Sequence, residues 1–262
     1  TLRAELEALP AELRERLARR GFDTARWCGW AERVGRAATT NTLTGELEPA
    51  QQITTIDPHS EALRLVGQEA IAAGRVAICV LAGGMATRMG GVVKALVEVA
   101  PGVTFLDLRL AEVDTIAASN PAPPLWLMTS DATNIPIRDA LAGRTRQSDV
   151  ATFEQHLALR LTTSGGLFRD SDGLPSVYAT GHGDLPDALK ASGLLDDFVA
   201  RVGDGYVWIS NLDNLGASVD PVVLGHHIDS GAQLSVELVD KQPGDQGGGP
   251  VLHDRRPIIA EH

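Results

Sequence analysis

The chain has 262 residues, 44% of them hydrophobic, and a formal net charge of −11, enough for one large α/β domain or two small ones. The acid excess excludes a general nucleic-acid binder, and no run of about eighteen or more apolar residues offers a membrane-spanning helix. The two cysteines, Cys28 and Cys79, build no disulfide framework, so a cytoplasmic location is the expectation. Residues 1–20 read as a helix, because Leu2, Leu6, Leu9, Leu13 and Leu17 recur on one face, with Gly21 as its stop. Residues 37–57, rich in Thr and other polar residues, read as a connecting arm. A second helix is predicted over 60–73, with Leu63, Val66, Ala70 and Ile71 inward and Gly74 ending it. Residues 1–74 thus form an N-terminal helical extension and arm, and 75–262 a second, larger domain.

Residues 76–81 (VAICVL) are a short apolar run between glycines, the pattern of a buried parallel strand, with Cys79 as a core residue. Further strands are predicted at 125–129, 206–210 and 233–239. Helical patterns fall near 106–117, 135–141, 184–191 and 221–230. The alternation points to an α/β/α arrangement with three layers, helices covering both faces of a mixed, mostly parallel sheet. Residues 242–250 (QPGDQGGGP) read as a low-complexity loop. His226 and His227 fall in a predicted helix without a third ligand at metal spacing, and read as structural.

The first strand runs straight into a glycine-rich loop, Leu81-Ala82-Gly83-Gly84-Met85-Ala86-Thr87-Arg88-Met89-Gly90-Gly91. Small residues at a strand end let backbone amides approach a phosphate. Arg88 adds a forked cation and Lys94 a point charge. Lysine is scarce here: of the 23 basic residues, only Lys94, Lys190 and Lys241 are lysines. The loop is neither a Walker A motif nor a dinucleotide fingerprint. On glycine content alone it could equally be a tight strand-to-helix turn.

LAGGMATRMGGVVK resembles the signature loop of the nucleotide-sugar pyrophosphorylases. Ala86 stands where that family usually has Gly, and Lys94 has no preceding proline and lies one residue closer to Thr87. Later segments follow the family's order: Phe105-Leu106-Asp107-Leu108, Leu127-Met128-Thr129-Ser130 with Thr133, and Phe153-Glu154-Gln155. Then come Gly181-His182-Gly183-Asp184, Asn211-Leu212-Asp213-Asn214-Leu215-Gly216, and Lys241 with Asp245 and Gly247-Gly248 after it. The series covers residues 76–262, and its Gly-His-Gly-Asp form is similar to the eukaryotic-type UDP-glucose pyrophosphorylases.

The resemblance implies a Rossmann-like nucleotidyltransferase domain that makes UDP-glucose and pyrophosphate from UTP and glucose 1-phosphate, without nucleic-acid or membrane partners. Another UDP-sugar pyrophosphorylase, acting on N-acetylglucosamine or broadly, is the alternative. So is a module that binds nucleotide sugar without turnover. In-line attack on the α-phosphorus needs positioning and charge stabilisation, not a protein nucleophile. Leu81, Ala82, Gly83, Gly84, Gln155, Gly181 and His182 are then expected to bind nucleotide, with Gln155 on uracil. Arg88, Lys94 and Lys241 are expected to serve the phosphates in catalysis. Asp213, at a strand end, is expected to hold Mg²⁺ with phosphate oxygens and water. Asn211, Asn214 and Glu261 are expected near the sugar phosphate, and Lys94 and Asp213 should face one cleft. Without the family, His182 reads equally as a surface residue and Lys241 as an exposed one. Family members usually continue well past residue 262, so the chain is expected to lack a further lysine segment and a small C-terminal β domain. The sequence leaves the oligomeric state open.

Overall fold

The structure is a computed structural model that describes residues 2–34, 42–50, 53–86, 91–142, 149–242, 244 and 247–260. Three helices open the chain: α1 (Leu2–Glu7), α2 (Ala11–Arg19) and α3 (Thr24–Val34). The single helix expected over 1–20 is two, because Pro10 lacks an amide proton to continue α1 and instead caps the start of α2. Gly21, at φ 71°, ends α2 as expected. Strand β1 (Leu47–Pro49) lies within the expected arm, and α4 (Glu61–Ala72) matches the second predicted helix.

The chain then runs through β2 (Val76–Leu81), β3 (Met85–Ala86), β4 (Val92–Val93), β5 (Glu98–Ala100), β6 (Val103–Thr104), α5 (Phe105–Ala117), β7 (Leu125–Thr129) and α6 (Asn134–Ala142). It continues with β8 (Val150–Glu154), β9 (Leu157–Leu159), β10 (Val177–Ala179), α7 (Leu185–Ala191), α8 (Leu194–Val202) and β11 (Tyr206–Asn211). Helix α9 (Pro221–Ser230) and strands β12 (Gly249–His253) and β13 (Arg256–Ala260) complete it. Residues 233–239 alternate apolar and polar but form no strand, and Leu234, Val236 and Val239 stand exposed. Period-2 patterning needs a neighbouring strand to hydrogen-bond, and none is paired there among the described residues.

Contacts divide the chain into two compact units, one of Thr1–Ala37 with Gln68–Val219, the other of Ala38–Gly67 with Asp220–His262. The first holds a four-stranded parallel sheet in the order β11-β2-β7-β8, with β2 interior. Alternate side chains of β2 point to different apolar clusters. Ile78 and Val80 join Leu106, Leu110 and Val113 of α5 and Ile137 of α6. Ala77 and Cys79 join Leu185 and Leu189 of α7 and Phe198 of α8. Apolar side chains on both faces explain why this strand reads as a continuous apolar run.

A third cluster packs Leu6, Leu9, Leu17 and Trp27 of the opening helices against Leu157, Leu159 and Leu167. The indole N–H of Trp27 donates to the Leu159 carbonyl at 3.0 Å. Arg16 pairs with Asp131, and Arg20 with Glu154.

In the second unit, β1, β12 and β13 form an antiparallel sheet. There α4 and α9 meet backbone to backbone: a Cβ on Gly67 would lie 1.9 Å from the Pro221 carbonyl oxygen, and one on Gly225 1.9 Å from that of Leu63. Among the described residues, no helix is long and apolar enough to cross a membrane.

Candidate active site

The carboxyl ends of β2, β7, β8 and β11 lie side by side, where open parallel sheets receive ligands. The β2 end is tied to its neighbours by backbone and hydroxyl bonds. The Ala82 amide donates to the Met128 carbonyl at 2.8 Å, and the Leu212 amide to the Leu81 carbonyl at 3.4 Å. Fully buried Thr133 donates its hydroxyl to the Ala82 carbonyl at 3.0 Å and accepts from the Ser130 amide at 2.9 Å. Thr129, also buried, donates to the Phe153 carbonyl at 3.1 Å, joining β7 to β8.

Gly83 follows directly. A Cβ there would sit 2.9 Å from Nε2 of Gln155, so the missing side chain lets buried Gln155 lie against the loop backbone. Strands β3 and β4 then form a short hairpin that returns Lys94 to Gly84, whose carbonyl accepts from the Lys94 amide at 3.2 Å. With no proline before it and a shorter span from Thr87, Lys94 still reaches the β11 end. Its ammonium donates to Oδ2 of Asp213 at 3.0 Å.

Both partners are substantially exposed, at 35% and 45% of their side-chain surface, so the pair adds at most about 1 kcal/mol to stability. Burial pushes the Asp213 carboxyl up, but the hydrogen bond from Lys94, its own backbone amide, and the charges of Lys94 and Arg109 outweigh that and hold it below the usual carboxylate value. Asp213 is therefore ionised at neutral pH and sits beside a cation. The expected convergence of Lys94 and Asp213 is what the geometry contains.

The other expected site residues distribute as follows. Leu81, Ala82, Gly83 and Gly84 line the β2 end, and Gln155 lies against it. Gly181, at φ 106°, precedes a short 3-10 turn over His182–Asp184 in which His182 is exposed. In that turn burial raises the Asp184 carboxyl, partly offset by the nearby His156, and its Oδ2 is enclosed without a hydrogen-bond partner. The side chains of Asn211 and Asn214 are exposed on either side of Asp213. Lys241 belongs to the second unit, where its ammonium donates to the Gly247 carbonyl at 2.6 Å. Arg88 and Glu261 lie outside the described residues.

Arg109 carried no motif signal and proves central to this geometry. The Phe105-Leu106-Asp107-Leu108 segment is the start of α5, not a ligand loop. Thr104 and Asp107 form its capping box: the Thr104 hydroxyl accepts from the Asp107 amide at 3.2 Å, and the Asp107 carboxylate from the Thr104 amide at 2.8 Å. The helix so started delivers the Arg109 guanidinium, 2% exposed, under the turn that follows β11. An arginine spaced like any helical surface charge offers no sequence cue that it is buried.

The family described as UTP–glucose-1-phosphate uridylyltransferase matches residues 38–258. The chain belongs to that family. It is 29% identical to a probable UTP–glucose-1-phosphate uridylyltransferase of Schizosaccharomyces pombe, over 96% of this chain and 51% of the relative. It is 35% identical to the Saccharomyces cerevisiae UTP–glucose-1-phosphate uridylyltransferase, over 68% of this chain and 37% of that one. The chain thus spans about half, or less, of the length of these family members. Its fold is similar to that of the Trypanosoma brucei uridine diphosphate N-acetylglucosamine pyrophosphorylase solved with an inhibitor, with a TM-score of 0.72 at 21% identity, over 98% of this chain and 57% of the other. That family and fold agree with the resemblance read from the ordered motifs.

Proposed function

We propose that the protein carrying this chain forms UDP-glucose and pyrophosphate from UTP and glucose 1-phosphate, in a Rossmann-like, three-layer nucleotidyltransferase domain. The observation that carries the reading is the Lys94–Asp213 pair beside Gly83, Gly84 and Gln155 at the carboxyl edge of the parallel sheet. Family membership supplies the substrates. Gly84, where a Cβ would meet only the Lys94 side chain at 3.8 Å, leaves room for a phosphate to approach the backbone, and Gln155, held against Gly83, offers amide donors and acceptors to uracil. A glucose 1-phosphate oxygen attacks the α-phosphorus, the bond to the bridging oxygen breaks, and its electron pair leaves with pyrophosphate. The nucleophile is already anionic, so no side chain has to take a proton. Lys94 supplies positive charge where the transition state spreads negative charge over phosphate oxygens. Arg88 is proposed to serve the same phosphates, and Asn211, Asn214 and His182 to line the substrates, while Lys241 and Glu261 keep the phosphate and sugar roles that the family resemblance implies.

Mg²⁺ belongs to the same proposal. It is commonly held by one or two carboxylates with substrate phosphates and water, not by an all-protein cage. Among the described residues no cluster of three or more potential ligands occurs, and a lone, ionised, half-exposed Asp213 fits the open mode. Bound there, the ion would neutralise phosphate charge. Cytoplasmic residence is part of the same reading, supported by the free thiols of Cys28 and Cys79.

A coupled pyrophosphate assay on the full-length protein tests the proposal, run with UTP and a panel of sugar 1-phosphates. Release with glucose 1-phosphate is expected. Release only with N-acetylglucosamine 1-phosphate would move the substrate, and UTP binding without release from any pair would leave a binding module.

A further inference from the structure

Arg109 lies on α5, outside every segment that suggested chemistry, yet each N–H of its guanidinium has an acceptor. Nε donates to the Leu212 carbonyl at 3.3 Å. Nη1 donates to Glu112 Oε2 at 2.8 Å and to the Ala217 carbonyl at 3.3 Å. Nη2 donates to the Asn211 carbonyl at 2.9 Å and to that of Asn214. Glu112 extends the tie with its other oxygen, which accepts from the Val219 amide at 3.2 Å. Neutralising Glu112 would need only one of these bonds. The rest grip the backbone on both sides of Asp213.

We propose that Arg109 is a positioning residue that fixes the 211–217 turn and thereby sets Asp213 against Lys94. The inference rests on the proposed function only in treating those two groups as part of an active site. A turn of this kind has no ladder of its own: the Asn214 amide bonds back to the Asn211 carbonyl at 3.2 Å, and the Leu215 amide to the Asp213 carbonyl at 3.1 Å. Its outward carbonyls are satisfied from below by a planar fork. A lysine ammonium is a point donor on a flexible stem and cannot span carbonyls so spread out.

The test compares Arg109→Lys and Arg109→Met with the wild-type full-length protein, by the Asp213 carboxyl ¹³C chemical shift at one fixed neutral pH and by steady-state kinetics. In both variants the Asp213 carboxyl signal is expected to move from its wild-type position as the 211–217 turn loses its grip. Turnover is expected to fall by roughly a hundredfold, as misplacement of a site group does, while KM for UTP stays close to wild type because the β2 end is untouched. Arg109→Lys should not rescue either property, although it restores the charge. A folded Arg109→Lys protein with the wild-type Asp213 carboxyl shift, or with kcat unchanged and only melting temperature lowered, would overturn the proposal. Should both variants fail to fold, the wild-type protein decides: separate, slowly exchanging Arg109 Nη proton signals support the clamp, and one averaged signal refutes it. A protein silent in the pyrophosphate assay sinks the functional reading alone, since the carboxyl and guanidinium signals do not depend on turnover.

Discussion

The turn after β11 and the crossing of α4 with α9 both fix one stretch of backbone against another, by opposite means. At the turn a long side chain fills the gap, and Arg109 reaches the carbonyls of Asn211, Leu212, Asn214 and Ala217 through charge-assisted bonds. At the crossing the side chains are missing: Gly67 and Gly225 let carbonyl oxygens come where a Cβ would stand. The first device tolerates one chemical group and sets the direction of a carboxylate. The second tolerates any chemistry that adds no atoms and sets only a distance. A reactive geometry needs the former, because a carboxylate must point at its partner, whereas scaffolding needs only shape.

The largest expected effect breaks the polar device. Arg109→Met leaves the half-buried Glu112 carboxylate without its cation beneath unsatisfied carbonyls, and should cost roughly 3–5 kcal/mol, read from denaturant unfolding. Next is the steric device. Gly225→Ala places a Cβ 1.9 Å from the Leu63 carbonyl oxygen, so the helices must separate, at about 3 kcal/mol. Gly225→Ser should do no better, because no hydrogen bond compensates for the displaced backbone; equal stability of all three proteins would show that the crossing yields freely.

A third measurement asks what the turn is for. Lys94→Ala removes the cation that Asp213 faces and, on the proposed function, should lower kcat of the full-length protein by about a hundredfold, roughly 3 kcal/mol of transition-state stabilisation. Melting temperature should hardly change, since the exposed pair adds little to stability. Near-wild-type turnover would separate Lys94 from the chemistry.

The smallest effect is on acid stability. The folded pKa of Asp213 lies below its ordinary 3.8, so its contribution is fully present above 3.8 and is lost as pH falls through the folded value. Asp184 has the reverse sign: its pKa is raised by burial above 3.8, so the folded state binds more protons there and stability falls as pH rises through that window. Asp213→Asn should flatten the acid limb below 3.8, and Asp184→Asn the slope just above it, as seen in unfolding midpoints across pH. Identical profiles for wild type and both variants would contradict the two environments.

Much of the first unit could be read in advance. Val76–Leu81 is apolar at every position, which only a strand covered on both faces sustains, and it is an interior strand. The motifs place Gly83 directly after the first strand and Asp213 at a later strand end, and loops after parallel strands gather at one edge; strand β8, which brings Gln155 to that edge, carries no such signal. Residues 233–239 carry as good a strand pattern as residues 206–210, yet only the latter form one. Alternation records which side chains are apolar and leaves open whether a neighbour offers its carbonyls.

The sequence by itself thus determined the family, one interior strand, the helix ends at Gly21 and Gly74, and the residue types at the sheet's mouth. These follow from local rules: periodicity, backbone permissiveness and motif order. Only the tertiary structure decided that Arg109 is buried beneath Asp213, that Gly83 yields its space to Gln155, and that Gly67 and Gly225 seat a helix crossing. Each of those depends on an atom from a distant part of the chain coming within bonding or van der Waals range, and no local pattern encodes which distant atom that is.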